Sequence, residues 1–352
     1  MMKSVAFFNN KGGVGKTTLS ANVAHYFATQ LGKKVLIIDL DPQCNTTQLI
    51  LDKDLCAELY WTDKAQASDP SYETVYDIVR PLEEGEATPK LINHIQPSNN
   101  RFKVALIPGH PRMSVMEDLL GAWFRETTSG EIGGIRKTLW LKTFLADLSE
   151  QFDFAFFDLG PSLGALNRSV LAASNYFLTP MGADIFSIVA LRNIGEWIDR
   201  WVRLYEQGIN LCYENNPEAA QKYNPEVKLP ISNGFIGYTV QQYSTVTIRG
   251  ERRATIAFEN IINRIPQQVE EHLAHLSPDS LRNSALKLGD IPNLRSLVPL
   301  AQAVNAPLAD LSGKDGLAGG QYSQQKTYVE YIGAVAQTLA QNLGVDSGQL
   351  AK

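Results

Sequence analysis

Ser4-Val5-Ala6-Phe7-Phe8-Asn9-Asn10-Lys11-Gly12-Gly13-Val14-Gly15-Lys16-Thr17-Thr18-Leu19 is the stretch that decides the fold. Its first five residues read as a short buried strand. From residue 17 to residue 31, Leu19, Val23, Phe27 and Leu31 recur at helical spacing, and Gly32 is a natural stop. Between strand and helix, Gly12, Gly13 and Gly15 let successive backbone N–H groups converge on an anion at a helix N-terminus, where the helix dipole adds to the attraction. Lys16 is then placed to reach β- and γ-phosphates, and the Thr17 hydroxyl to ligate Mg2+. Asn10, Lys11, Val14 and Thr18 complete the loop expected to cradle the nucleotide. Asn10 stands where the usual phosphate loop has its first glycine, and Lys11 with the Gly12-Gly13 pair accompanies that change. A chance glycine-rich turn would not be followed by the two acidic elements that come next.

The first element closes the apolar run 34–40: Asp39-Leu40-Asp41-Pro42-Gln43. Such a run reads as a parallel strand covered on both faces. Carboxylates at its end can orient a water or hold Mg2+ through its hydration shell, although Asp39 could instead cap a helix or turn. The second element, Asp158-Leu159-Gly160-Pro161-Ser162, follows the apolar Phe154-Ala155-Phe156-Phe157 and fits a Walker B aspartate with a flexible phosphate-sensing loop behind it. Further strands are expected at 102–107, 152–157, 176–180 and 231–240, with a helix at 137–148. The alternation predicts an α/β fold, a doubly wound, mostly parallel sheet flanked by helices on both faces, with catalytic groups at the strands' carboxyl ends.

The 352 residues are expected to form one P-loop domain with an acidic insertion at about 52–101 and an elaborated helical C-terminal part at about 264–345. From Asp52 to Lys90 the chain is rich in Asp and Glu, which reads as a solvated periphery or, less simply, a cargo surface. The closing helix is expected at 328–343, without a lysine or arginine.

With 32 Lys+Arg against 37 Asp+Glu, the net charge of -5 gives no overall attraction to a polyanion. Any DNA contact must come from a local patch. Arg249, Arg252 and Arg253 form the best candidate, with Arg264, Arg282, Lys287 and Arg295 nearby. Glu251, Glu259, Glu270, Glu271, Asp279 and Asp290 nearly neutralise that region, and a solvated helix face explains it equally well. The cysteines Cys44, Cys56 and Cys212 form no CxxC pair, which points to a reducing compartment and the cytoplasm. No apolar stretch approaches the ~20 residues of a membrane span. No guanine-reading Asn/Thr-Lys-x-Asp motif occurs, so ATP is preferred to GTP; adenine contacts are expected around 238–243.

Lys11 to Thr18, Asp39 to Gln43 and Asp158 to Ser162 resemble the ParA/MinD family of deviant Walker A ATPases, and the ParA branch fits best. Residues 72–79, Leu106-Ile107-Pro108-Gly109 and 176–191 look like further landmarks of it. The resemblance implies a Mg-dependent ATPase that cycles between ATP and ADP. Lys11 would be the lysine that reaches across an ATP-dependent homodimer to the partner's nucleotide, and Asp41 would position or activate the attacking water. Lys16 and Thr17 keep their phosphate-loop roles, and Asp39 and Asp158 would support Mg2+ through water. It further implies nonspecific DNA binding by the ATP dimer, placing the protein on the nucleoid, and a ParB-like or adaptor protein that stimulates hydrolysis. Leu159-Gly160 replaces the Thr-Pro-like pair of the family, and Ile265-Pro266 is followed by Gln267-Gln268 rather than arginine. A MinD-like membrane cycle would need a basic amphipathic anchor, and none is stably provided. An electron-transfer role like that of the nitrogenase iron protein would need paired cysteines near the switches. A nucleotide-state signalling switch in a larger assembly uses the same residues and stays open.

Overall fold

The computed structural model describes residues 2–61, 72–241, 245–248, 251–254, 256–281, 286–293 and 296–345. In chain order its strands are β1 (Lys3–Phe7), β2 (Val35–Asp39), β3 (Ala105–Ile107), β4 (Phe154–Asp158), β5 (Tyr176–Gly182), β6 (Phe235–Gln241), β7 (Thr245–Ile248), β8 (Glu251–Ala254) and β9 (Lys287–Ile291). Seven of them form one all-parallel sheet, ordered β3-β2-β4-β1-β5-β6-β9, while β7 and β8 pair antiparallel in a separate hairpin.

Every residue of β2, β3, β4 and β6 is buried, which explains their unbroken apolar character: both faces are covered. Helices Lys16–Thr29 and Gln321–Asn342 pack on each other and on the sheet; Met116–Thr128, Ala165–Ala173 and Ile185–Asn215 form a second packed group. β1 lies between β4 and β5, so the loop leaving it opens where strand order diverges to either side, the usual crevice for a ligand. Pairing aligns Phe7 with Asp158, and Asp158 with Asp39, on one level of the sheet. Register alone therefore brings the first loop beside both acidic strand ends.

Several elements differ from the sequence expectation. The strand expected at 102–107 shrinks to Ala105–Ile107, because Lys103 adopts a left-handed φ of 59° that no strand accommodates. The helix expected at 137–148 is two, Ile132–Thr138 and Trp140–Leu148, broken at Leu139. The part at 264–345 is not all helical, since β9 adds an edge strand to the sheet. Ile265-Pro266 starts a helix, with proline at a first-turn position that lacks an N–H partner anyway, whereas Ile291-Pro292 leaves the end of β9. The closing helix begins at Gln321 rather than 328 and so includes the exposed Lys326. Within the acidic segment, helix Val75–Glu83 is clamped by a Thr74–Asp77 capping box and buries Val75, Ile78 and Val79 completely, so only its outer side is solvated. Among the described residues, no helix is long and apolar enough to cross a membrane.

Candidate functional site

The loop after β1 is shaped by its own backbone demands. Gly13 and Gly15 take φ of 71° and 79°, the left-handed region that glycine enters without strain. Asn9 anchors the loop to the neighbouring strand: its Nδ2 donates to the Pro180 carbonyl at 2.7 Å and its Oδ1 accepts from Lys11 N at 2.8 Å. Helix Lys16–Thr29 then starts at Lys16, whose ammonium donates to the Asn9 and Lys11 carbonyls at 3.2 and 3.3 Å. Burial lowers the Lys16 ammonium from its ordinary value, while Asp158 and Asp41 pull the other way. Asn10 Oδ1 is buried without a hydrogen-bond partner.

Asp158 ends β4 directly beneath. Its Oδ2 accepts from Thr17 Oγ1 at 2.6 Å and from Thr46 Oγ1 at 2.7 Å, and its Oδ1 is buried without a hydrogen-bond partner among the described residues. Burial pushes this carboxyl up to about 6, against the pull of Thr17, Thr46 and Lys16. Asp39, one strand over, is tied elsewhere: its Oδ2 accepts from Thr47 N and Thr47 Oγ1 at 2.8 and 2.6 Å, and Gly109 N donates to that same hydroxyl at 2.8 Å. The structure thus joins Thr17 to Asp158 and gives Asp39 a capping role in the helix Asn45–Ile50. The sequence alone does not single out Thr46 and Thr47. Their one signal is a pair of hydroxyl residues opening a helix just after an acidic strand end.

Asp41 lies on a tight Asp-Pro turn, with Cys44 N donating to the Asp41 carbonyl at 2.8 Å and Cys44 in a left-handed conformation at φ 55°. Its Oδ1 accepts from Gln43 N at 2.9 Å. A Cβ built on Gly160 would sit 3.2 Å from Asp41 Oδ1, and one on Gly12 would sit 3.8 Å from Pro161. The Gly160-Pro161 loop therefore lies between Asp41 and the phosphate loop. A cleft of ≈ 1010 Å³ is lined by Gly12 to Thr18 and Asp41 and also by Trp61, Val298 and Asn305, ample for a nucleotide.

Lys11 forms an ion pair with Asp184, which also caps helix Ile185–Asn215 by accepting from Phe186 N and Ser187 N at 2.9 and 3.2 Å. Burial works to raise the Asp184 carboxyl, yet Lys11 and the N–H and hydroxyl of Ser187 outweigh it and hold the group below its ordinary value. Ile185, Phe186 and Val189 are exposed on the first turns of that helix, beside Lys11. Of the candidate DNA residues, Arg249 lies outside the described residues, and Arg252 and Arg253 fall on β8 of the hairpin. Of the expected adenine-contacting span, 238–241 is the buried end of β6 and 242–244 lies outside the described residues. The three cysteines are buried free thiols.

Burial, with Asp158 beside it, pushes the Asp39 carboxyl up to about 8. A carboxyl raised on folding contributes stability that is complete below the unfolded value, about 4, and is lost as the pH rises towards about 8. In nucleotide-free protein, Asp39→Asn is therefore expected to gain on wild type by on the order of 3 °C in Tm between about pH 6 and pH 9. A Tm difference that stays flat across this range would show that the buried carboxyl does not titrate near 8.

The profile of an AAA domain family, AAA_31, matches residues 2–210, from β1 through Asp158 to most of the long helix. The chromosome-partitioning ATPase Soj of Treponema pallidum is 30% identical over 230 residues, 65% of this chain and 75% of that protein. The sporulation initiation inhibitor protein Soj of Bacillus subtilis is 28% identical over 210 residues, 60% of this chain and 68% of that protein. Among solved structures, protein DIP2308 from Corynebacterium diphtheriae superposes with a TM-score of 0.73 at 31% identity, covering 97% of this chain and 99% of that one. Cyanothece McdA in complex with ATP shares the fold at a TM-score of 0.60 and 15% identity, with 100% and 99% of the two chains covered.

Proposed function

Because this chain belongs to the AAA_31 family, the ParA/MinD type of P-loop ATPases, we propose that it binds ATP with Mg2+, pairs with a second copy of itself in that state, and hydrolyses ATP to ADP and phosphate. A ParB-like or adaptor protein stimulates hydrolysis, and the cycle drives the partition of DNA or the positioning of another cargo. The observation that carries the reading is the Thr17 hydroxyl meeting Asp158 at the end of β4, with Lys16 next to it at the head of the helix and Asp41 turned onto the Gly160-Pro161 loop. The Soj relatives named as partition and sporulation proteins supply the physiological direction.

The chain's own groups divide the chemistry. Backbone N–H groups from Gly12 to Thr17 orient the phosphates, and Lys16 neutralises the β- and γ-phosphate charge. Lys11, at the rim, exchanges Asp184 for the nucleotide of the second subunit. Asp41 accepts a proton from, or orients, the attacking water. Thr17, with Asp158 and Asp39 acting through water, suits a hydrated Mg2+, and the unpartnered Asp158 Oδ1 beside the Thr17 hydroxyl supports that fit. Those residues would hold the ion, which would supply neutralisation of the phosphate charge.

The ATP dimer is further proposed to hold DNA nonspecifically through Arg249, Arg252 and Arg253, by phosphate contacts that weaken with salt. Sedimentation and DNA retardation, each with ATP against ADP, test both halves. Dimers and retarded DNA are expected with ATP alone, and the double variant Arg252→Glu/Arg253→Glu should keep the dimer and lose the DNA. A chain that stays monomeric with ATP refutes the cycle; undiminished DNA binding by the variant removes this patch.

A further inference from the structure

Helix Ala165–Ala173, which follows the Gly160-Pro161 loop, has no side-chain cap from its own N-terminal residue, Gly164. The cap comes from a distant helix: the Glu117 carboxylate accepts from Ala165 N and, at 2.9 Å, from Leu166 N. A second clip joins the same two helices, the Arg168 guanidinium lying 3.9 Å from the centroid of the Phe124 ring. Inside the capped turn, Asn167 Nδ2 donates to the carbonyls of Gly160 and Ser162, both at 2.8 Å. Glu117 thus fixes the helix start, Asn167 transmits its position to Gly160, and Gly160 abuts Asp41.

We infer that Glu117 is a positioning residue for hydrolysis, holding the Gly160-Pro161 loop at the distance from Asp41 and Gly12 that the attacking water requires. This rests on the ATPase reading above. Gly164 carries an independent mark of the arrangement: a Cβ there would lie 2.1 Å from Glu117 Oε1. Its φ of -93° is open to any residue, so the carboxylate, and not the backbone, demands glycine. An alanine at 164 would push the Glu117 carboxylate off its two N–H partners without touching Glu117 itself.

The test is steady-state ATP turnover, with nucleotide affinity measured separately by fluorescent ADP, for Glu117→Ala, Glu117→Gln, Gly164→Ala and the double variant Glu117→Ala/Gly164→Ala. Small misplacements near reacting groups are costly, so Glu117→Ala and Gly164→Ala should each lower kcat roughly tenfold while the ADP Kd stays within about twofold. Glu117→Gln, which keeps one acceptor at the same length, should recover most of the rate. The double variant should be no slower than the slower single one, because both remove the same cap. A merely structural role would lower the folded fraction and move affinity and turnover together. Should Glu117→Ala fail to fold, Glu117→Gln and Gly164→Ala carry the same comparison. Unchanged kcat in the folded variants, an effect confined to Kd, or rate losses that multiply in the double variant would each overturn the inference. A wild type that does not turn over ATP fails the function proposed above and takes this inference with it, whereas normal wild-type turnover with indifferent variants defeats this inference alone.

Discussion

Replacing Asp41 with alanine is expected to lower ATP turnover by about 10²- to 10⁴-fold while leaving ATP bound, the range that removal of a positioned general base produces. The geometry separates the two effects. Asp41 Oδ1 is fixed by Gln43 N at 2.9 Å, and among the described residues nothing donates to Oδ2, so that oxygen is left for the attacking water of the proposed reaction. The groups proposed to bind phosphate are others, the loop N–H groups and Lys16, whose carbonyl anchors at Asn9 and Lys11 do not involve Asp41. The fold should survive as well, because the cap of helix Asn45–Ile50 comes from Asp39 through Thr47. The variant should therefore accumulate as the ATP-bound dimer. Turnover within about fivefold of wild type would show that Asp41 neither activates nor orients the water.

Lys11→Ala should weaken the ATP-dependent dimer by roughly 10²-fold or more, the cost typical of deleting one side of a buried charge pair at an interface. The ADP affinity of the monomer should barely change, since the groups proposed to hold the nucleotide within one subunit are Lys16 and the glycine backbone. Asp184 does lose its ionic partner in this variant, but its bonds to Phe186 N and Ser187 N keep the helix cap. That pair is partly solvent-exposed, with side-chain exposures of 30% and 35%, so breaking it costs little stability. Sedimentation velocity over a concentration series, with ATP and with ADP, reads the result. Undiminished ATP dimers would mean that Lys11 does not act across the interface.

How much of this could be read from the residues follows from what each element asks of them. β1, β2 and β4 are buried on both faces and end in loop or carboxylate, so an apolar run before Asn9, Asp39 or Asp158 reveals strand and site together. β9 escapes notice because an edge strand of Lys287-Leu288-Gly289-Asp290-Ile291, buried at only two of its five positions, lacks that run. Lys103 hides the start of β3 because a left-handed turn in a lysine leaves no compositional trace. The phosphate loop is legible because its chemistry is local, with lysine, glycines and hydroxyls all within eight residues. The partners that organise it are not. Asp184 lies 173 positions from Lys11, Asp158 lies 112 from Thr46, and Glu117 lies 48 from Ala165. Nothing in linear spacing foretells such meetings, which parallel register and helix packing create.

Thr46 and Thr47 are adjacent on one short helix, yet they grip carboxylates on two different strands. Successive helical residues point about 100° apart, which is how neighbouring hydroxyls reach the ends of two different strands. The helix is a yoke across β2 and β4: displacing it as a body disturbs the hold on both carboxylates. Asp158 and Asp39 are thereby tied to one another through about a turn and a half of helix, and a substitution that shifts Asn45–Ile50 reaches both acids.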